Sequence, residues 1–256
     1  VLNDQPEVSA GIVTSLTLLP EDRMTPREAD PRIGTAYVRH TVFSEKGSET
    51  GYFAGRWRLE PKNPEIIRRG GLSEPTEPIV IYVDTLFSPS WAAAIRSGIE
   101  KWNPVLEQAG FRQAIRVEPY PSGDTARMDD PLTSRVVFSP STGNSIALHR
   151  VADPRTGEIL SIRLIVPRDF AESVRKEAVY TISDTDRRYA GYYLSDEAIC
   201  EVLTAKVMQR MAAGLGLASN LAGSAAYTID QMRDPDFTQK YGFTASEYER
   251  ARVNVL

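Results

Sequence analysis

The side chains that most often carry acid–base, nucleophilic or metal chemistry are scarce in this chain: two histidines, His40 and His149, and a single cysteine, Cys200. Ser145 lies close to His149, so a Ser/His hydrolase is the first chemistry to weigh. Residues four apart on a strand share a face at about 13 Å, beyond hydrogen-bond reach. Nothing nearby supplies an oxyanion site or an orienting carboxylate either. Asp184 and Asp186 sit in a charged, Tyr-rich stretch, where a lone pair of carboxylates reads as solvated rather than ligating. Cys200, beside Ile199 in an apolar helical pattern, reads as packing, and one cysteine permits neither an intrachain disulfide nor a cysteine metal cluster. Gly70-Gly71 and Gly214-x-Gly216 lack the strand-then-helix context that makes such glycines a phosphate cradle, so nucleotide chemistry is unsupported.

The one stretch with a site-like pattern is Glu201 to Asn220, EVLTAKVMQRMAAGLGLASN. Val202, Leu203, Val207, Met208, Met211 and Leu215 recur at spacings of three and four, the signature of a helix with one buried stripe, and Gly214 and Gly216 mark its end. Set beside His-Glu-x-x-His-x-x-Gly-x-x-His, the zinc-peptidase pattern, Gly216 fixes the register. Gln209 then stands at the first His, Arg210 at the Glu, Ala213 at the second His and Ser219 at the third. A neutral amide, a methyl group and a hydroxyl do not make a zinc site. Arg210 stays protonated and cannot act as general base.

The run LGLASNLAGSAAYTIDQMRDPDFTQKYGFTASEYERARVNV, Leu215 to Val255, resembles the segment after the zinc motif in a bacterial family of metzincin-type, zinc-dependent metallopeptidases that carry domains of unknown function. ADPRIG, RWRLEPKNP, LSEPTEPIVIYVD, GIEKWNPVLEQAGF and VADPRTGEIL extend the likeness over nearly the whole chain. The resemblance implies a metzincin-like α/β fold and puts Tyr248 at the position of the methionine turn. Zinc is expected in the relatives and no cofactor here. The family likeness also implies a periplasmic or extracellular setting.

The elements that must position these residues follow from periodicity. Residues 1–78 read as a β-rich N-terminal arm and linker: a strand over Ile12 to Leu19, a hairpin of Thr35 to Phe43 and Gly51 to Glu60 across EKGSET, and a Pro/Gly/charged linker from Pro61 to Pro78. Trp57 reads as packing, with a ligand platform as the alternative. Residues 79–256 read as the peptidase-like domain, with 79–220 as an upper lobe and 221–256 as the start of a lower one. Ile79 to Val83 is a strand covered on both faces; Ser88 and Pro89 open a helix carrying Trp91, Ala94, Ile95, Ile99 and Trp102 on one stripe. Pro104 kinks it or restarts it with Asn103 as cap. Strands follow at Ala114 to Glu118, Ser134 to Ser139, Ser145 to Arg150 and Ile159 to Val166, the last two joined by ADPRTG. Pro167 to Leu194 reads as a helix and then a loop, and the long helix starts at Ser195. The expected fold is α/β (α+β): a mixed, mostly parallel twisted sheet with an antiparallel edge strand and two long helices.

With 256 residues, 41% hydrophobic and 25% charged, the chain can bury one large core or two small lobes. A net charge of −4 gives no attraction to nucleic acid or anionic membrane, and no apolar run is long enough to insert in a bilayer. The abrupt ends at Val1 and Leu256 fit a piece of a longer protein. Three readings follow. The chain is a non-catalytic metzincin-like domain that binds an extended peptide or protein partner; or an active peptidase whose ligands come from elsewhere, such as Glu197, Glu201 or Glu249; or a structural lobe. The first places the binding edge on Ser145, Ile146, Ala147, Leu148, His149 and Arg150, where unpaired backbone groups would pair with an added strand.

Overall fold

A computed structural model describes residues 14–30, 32–121, 123, 130–181, 187–189, 193–219 and 225–241. Its centre is a five-stranded sheet in the order β4-β3-β5-β7-β6, from β3 (Ile79–Val83), β4 (Ile115–Pro119), β5 (Arg135–Ser139), β6 (Ala147–Ala152) and β7 (Ile159–Pro167). All neighbours are parallel except β6, which runs antiparallel to β7 at the outer edge. This is the mixed, mostly parallel α/β architecture that the resemblance implies, in the element order read from periodicity.

On one face of the sheet Ile79, Ile81, Val83, Ile115, Val117, Val136, Ile162, Leu164 and Val166 are buried. Two long helices cover that face. In α2 (Pro89–Glu100), Ser88 caps the first turn by accepting from the Trp91 amide and Pro89 takes the first helical position, where no N–H is needed. In α5 (Asp196–Gly214), Ser195 accepts from the Ala198 amide, and Asp196 and Glu197 face the positive end of the helix dipole. The two helices approach closely at Gly98, where a Cβ would come 2.6 Å from the Thr204 carbonyl. α1 (Pro64–Arg68) precedes α2, α3 (Asn103–Gln108) and α4 (Phe170–Thr181) lie between α2 and α5, and α6 (Ile229–Arg233) and α7 (Pro235–Tyr241) come last.

Several boundaries differ from expectation. Residues 14–19 form no strand, and Leu16 and Leu18 are almost fully exposed, because no described strand pairs with them. The hairpin is β1 (Tyr37–Ser44) and β2 (Gly47–Ala54), so GSET belongs to the strand and only Glu45 and Lys46 turn the chain, with Gly47 at φ +122. The 61–78 segment is not bare loop: it contains α1 and pairs Pro61 with Pro75 and Ser73 with Phe111. Asn103 does not cap α3, which Trp102 precedes; its amide instead bridges Ile115, donating to the carbonyl and accepting from the N–H at 3.0 Å. Asp184 and Asp186 lie outside the described residues.

Candidate functional site

The end of α5 shapes the site. Gly216 has φ +97, its N–H donates to Ala213 O and the Leu217 N–H to Ala212 O, the paired bonds of a Schellman turn. Gly214, expected to share the left-handed role, is instead the last helical residue, and its missing side chain admits Ile162 and Leu148. The chain then runs beside the N-terminal arm: Ala36 N–H donates to Gly216 O at 2.7 Å and Ala218 N–H to Gly34 O at 2.7 Å. Three side chains fasten carbonyls of this helix from outside. Trp102 Nε1 donates to Met208 O at 2.9 Å, Trp57 Nε1 to Gly214 O at 2.9 Å, and Arg150 to Ala213 O at 3.2 Å. Trp57 is therefore anchored in packing.

Above α5 lies the sheet edge. β6 has β7 as its one strand neighbour among the described residues, and Ala147, His149 and Val151 are exposed while Leu148 and Arg150 turn toward α5. The strand begins later than expected: Ser145 and Ile146 precede it, since Ile146 is drawn into the core at 2% exposure. The strand also runs on to Ala152, where the ADPRTG turn takes over. In that turn the buried Asp153 carboxylate accepts from the Arg155 N–H and from its guanidinium at 2.7 Å, which holds its pKa below the usual carboxylate range. Gly157 there has φ +78. In the similar string ADPRIG, Asp30 likewise accepts from the Arg32 N–H and guanidinium, and Gly34 has φ +61.

Ser145 and Ile146 meet α5 across a cavity of about 60 Å³ that Asn144, Ser173, Glu177, Lys206, Gln209 and Arg210 also line. Lys206 is paired with Glu177 at 3.0 Å. Arg210 is half-buried, with no hydrogen bond or ion pair to any described residue. Gln209 thus faces the cavity with Arg210, whereas Ala213 and Ser219 do not line it; Ser219 is exposed one residue past the Ala218 pairing. Tyr248 and Glu249 lie outside the described residues. Lys206, Glu177 and Asn144 were missed from sequence, although Lys206 stands one helical turn before Gln209 and Arg210 and could have been found by that spacing.

The alternative chemistries find no assembly. His40 stacks on Phe53 at 3.8 Å in the hairpin, far along the chain from His149 on β6. No hydrogen bond joins Ser145 to His149. Glu197 is exposed, and Glu201 accepts from Arg188 at 2.8 Å, two turns before Gln209. Cys200 is half-buried, and burial pushes its thiol pKa up, the opposite of a reactive thiolate. Among the described residues no three His, Cys, Asp or Glu side chains converge on a point that could hold a metal ion. At the four positions expected from the sequence stand the Gln209 amide, the Arg210 guanidinium, the Ala213 methyl and the Ser219 hydroxyl, a set that does not fit zinc.

Residues 2–62 match a family described as a domain of unknown function (DUF5117), and residues 193–256 match a family described as Met-zincin. No curated protein and no solved structure matches the chain. The region from 193 onward is therefore metzincin-like, the fold is consistent with a metzincin-like domain, and the chain carries a metallopeptidase-like domain.

Proposed function

We propose that this metallopeptidase-like domain has lost the zinc ligands and the general base, and that it receives an extended peptide or protein segment along β6 without cleaving it. The observation that carries the reading is the position of β6: an antiparallel outermost strand whose exposed residues alternate and which lies directly over the site helix. An edge of that kind is a template for strand addition, with main-chain hydrogen bonds giving affinity and alternate pockets giving selectivity. The described arm does not plug it, since none of its backbone hydrogen bonds among the described residues goes to β6. Loss of catalysis is inferred from the register anchored at Gly216, which sets Gln209, Arg210, Ala213 and Ser219 where two imidazoles, a third and a carboxylate would be needed.

The test is a peptide library screened by fluorescence polarisation, with equimolar zinc or with chelator, and with products read by mass spectrometry. Binding should be indifferent to zinc, no product should form, and N-methylation of alternate backbone amides in a bound peptide should abolish binding. Zinc-dependent cleavage, or binding that tolerates N-methylation at every position, would overturn the reading.

A further inference from the structure

We infer that the cavity between the start of β6 and α5 is a carboxylate site, so that the segment received at the edge is one bearing an acidic group at the end that reaches Ser145; the inference deepens the peptide-binding reading and rests on it for the peptide. Arg210 carries it. A guanidinium presents five N–H donors in a planar fork and does not lose its proton. Here it is half-buried against the cavity and makes no hydrogen bond or ion pair to any described residue. A guanidinium that lines a cavity and still reaches solvent can exchange water for an anion, and the acceptor that fits its fork is a planar, two-oxygen anion.

The neighbours narrow the choice. Lys206 and Glu177 neutralise each other at 3.0 Å, which leaves Arg210 as the excess charge of the cavity wall. One negative charge balances it. The space, about 60 Å³, exceeds the ~10–15 Å³ that one water requires and suits a single carboxylate better than a bulky anion. Ser145 and Asn144 add neutral polar groups at the rim.

Direction follows from the strand. Ser145 and Ile146 line the cavity and run straight into Ala147, the first residue of β6. A peptide paired antiparallel to β6 therefore brings its C-terminal end to the cavity. Two sources of the same chemistry can fill it: an Asp or Glu side chain near that end, or the free C-terminal carboxylate.

Four probes separate the possibilities: Ac-Val-Thr-Val-Glu amide, Ac-Val-Thr-Val-Gln amide, the Gln peptide as free acid, and N-acetylglutamate alone. Each is titrated against the full chain and its Arg210→Gln and Arg210→Lys variants, with binding by calorimetry and the Arg210 Nε resonance by NMR. The two acidic peptides should bind the native chain about tenfold more tightly than the neutral one, as one charge-assisted contact in a half-open site gives. That gap should vanish in Arg210→Gln and shrink in Arg210→Lys, circular dichroism being unchanged. Whichever acidic peptide shows the larger gap identifies the source. Equal binding of all three peptides, or a gap that survives Arg210→Gln, overturns the carboxylate site while leaving the edge reading intact. If no peptide binds but N-acetylglutamate shifts the Arg210 resonance, the carboxylate site stands and the edge reading falls; if that resonance also stays still, both fall.

Discussion

Replacing Gly216 by alanine probes the turn on which the site depends. Two costs add at this position. The left-handed backbone, φ +97, costs an L-residue about 1–2 kcal/mol. A Cβ would also lie 3.1 Å from the Gly55 carbonyl carbon and overlap the carbonyl oxygen, which belongs to backbone and cannot swing aside. The arm must retreat. Retreat strains three bonds at once: Ala36 N–H to Gly216 O, Gly55 N–H to Ala36 O and Ala218 N–H to Gly34 O. At about 0.5–1.5 kcal/mol net apiece, their weakening brings the whole cost to roughly 3–5 kcal/mol.

Gly70→Ala is the control, because Gly70 has φ +80 with nothing within 4 Å of an added Cβ. It should cost about 1–2 kcal/mol from backbone strain alone. Chemical denaturation compares the two, and amide exchange at Ala36, Gly55 and Ala218 reports whether the arm has lifted. Melting temperature in Gly216→Ala should fall by roughly 10 °C, several degrees more than in Gly70→Ala. Should the two variants lose the same stability, with exchange at Ala36 unaltered, the proposed packing of the arm on the helix exit would be refuted.

Two further outcomes are expected. Asp153→Asn should lower stability by about 1–3 kcal/mol at neutral pH; because the native carboxylate pKa is held below its unfolded value, the native chain's advantage is present above the ordinary Asp range and is lost as pH falls through the depressed pKa, so denaturation curves of the two proteins should converge in acid. Trp57→Phe keeps most of the packing but removes the 2.9 Å bond to Gly214 O, and should cost about 1 kcal/mol, measured by urea titration, with faster exchange at the end of α5.

How much of this was readable in advance depends on whether the deciding interaction is local. Ser195 as cap, the three-four spacing of Leu203, Val207 and Met211, and Gly216 as the bend are decided within one helix, and α5 appears where they place it. β7 alternates strongly enough to show both its faces. The start of β6 was misplaced because Ile146 is apolar like a strand residue, yet its burial comes from side-chain packing below the sheet rather than from pairing. GSET was hidden for the opposite reason: a polar, exposed strand has no apolar face to announce it, and only its register with Thr41 to Ser44 makes it one. The pairing of residues 34–36 with 216–218 spans most of the chain, and no local propensity encodes it.

The bend that holds the site is built almost entirely from main chain. The Schellman bonds at Gly216 and Leu217, the arm's bonds to Gly216 and Ala218, and the Trp57, Trp102 and Arg150 contacts all end on backbone atoms of the helix and its exit. None uses the side chains of Gln209, Arg210, Ala213 or Ser219. Those four positions can therefore take imidazole, carboxylate, amide or guanidinium without undoing the turn, provided glycine stays at 216. This separation of scaffold from donor set is compatible with residues 193–256 being metzincin-like while, among the described residues, no three His, Cys, Asp or Glu side chains converge on a metal-sized point. In the proposed carboxylate site and the proposed register, Arg210 receives an anion where a proton acceptor would be expected, a change of chemistry that leaves the backbone as it was.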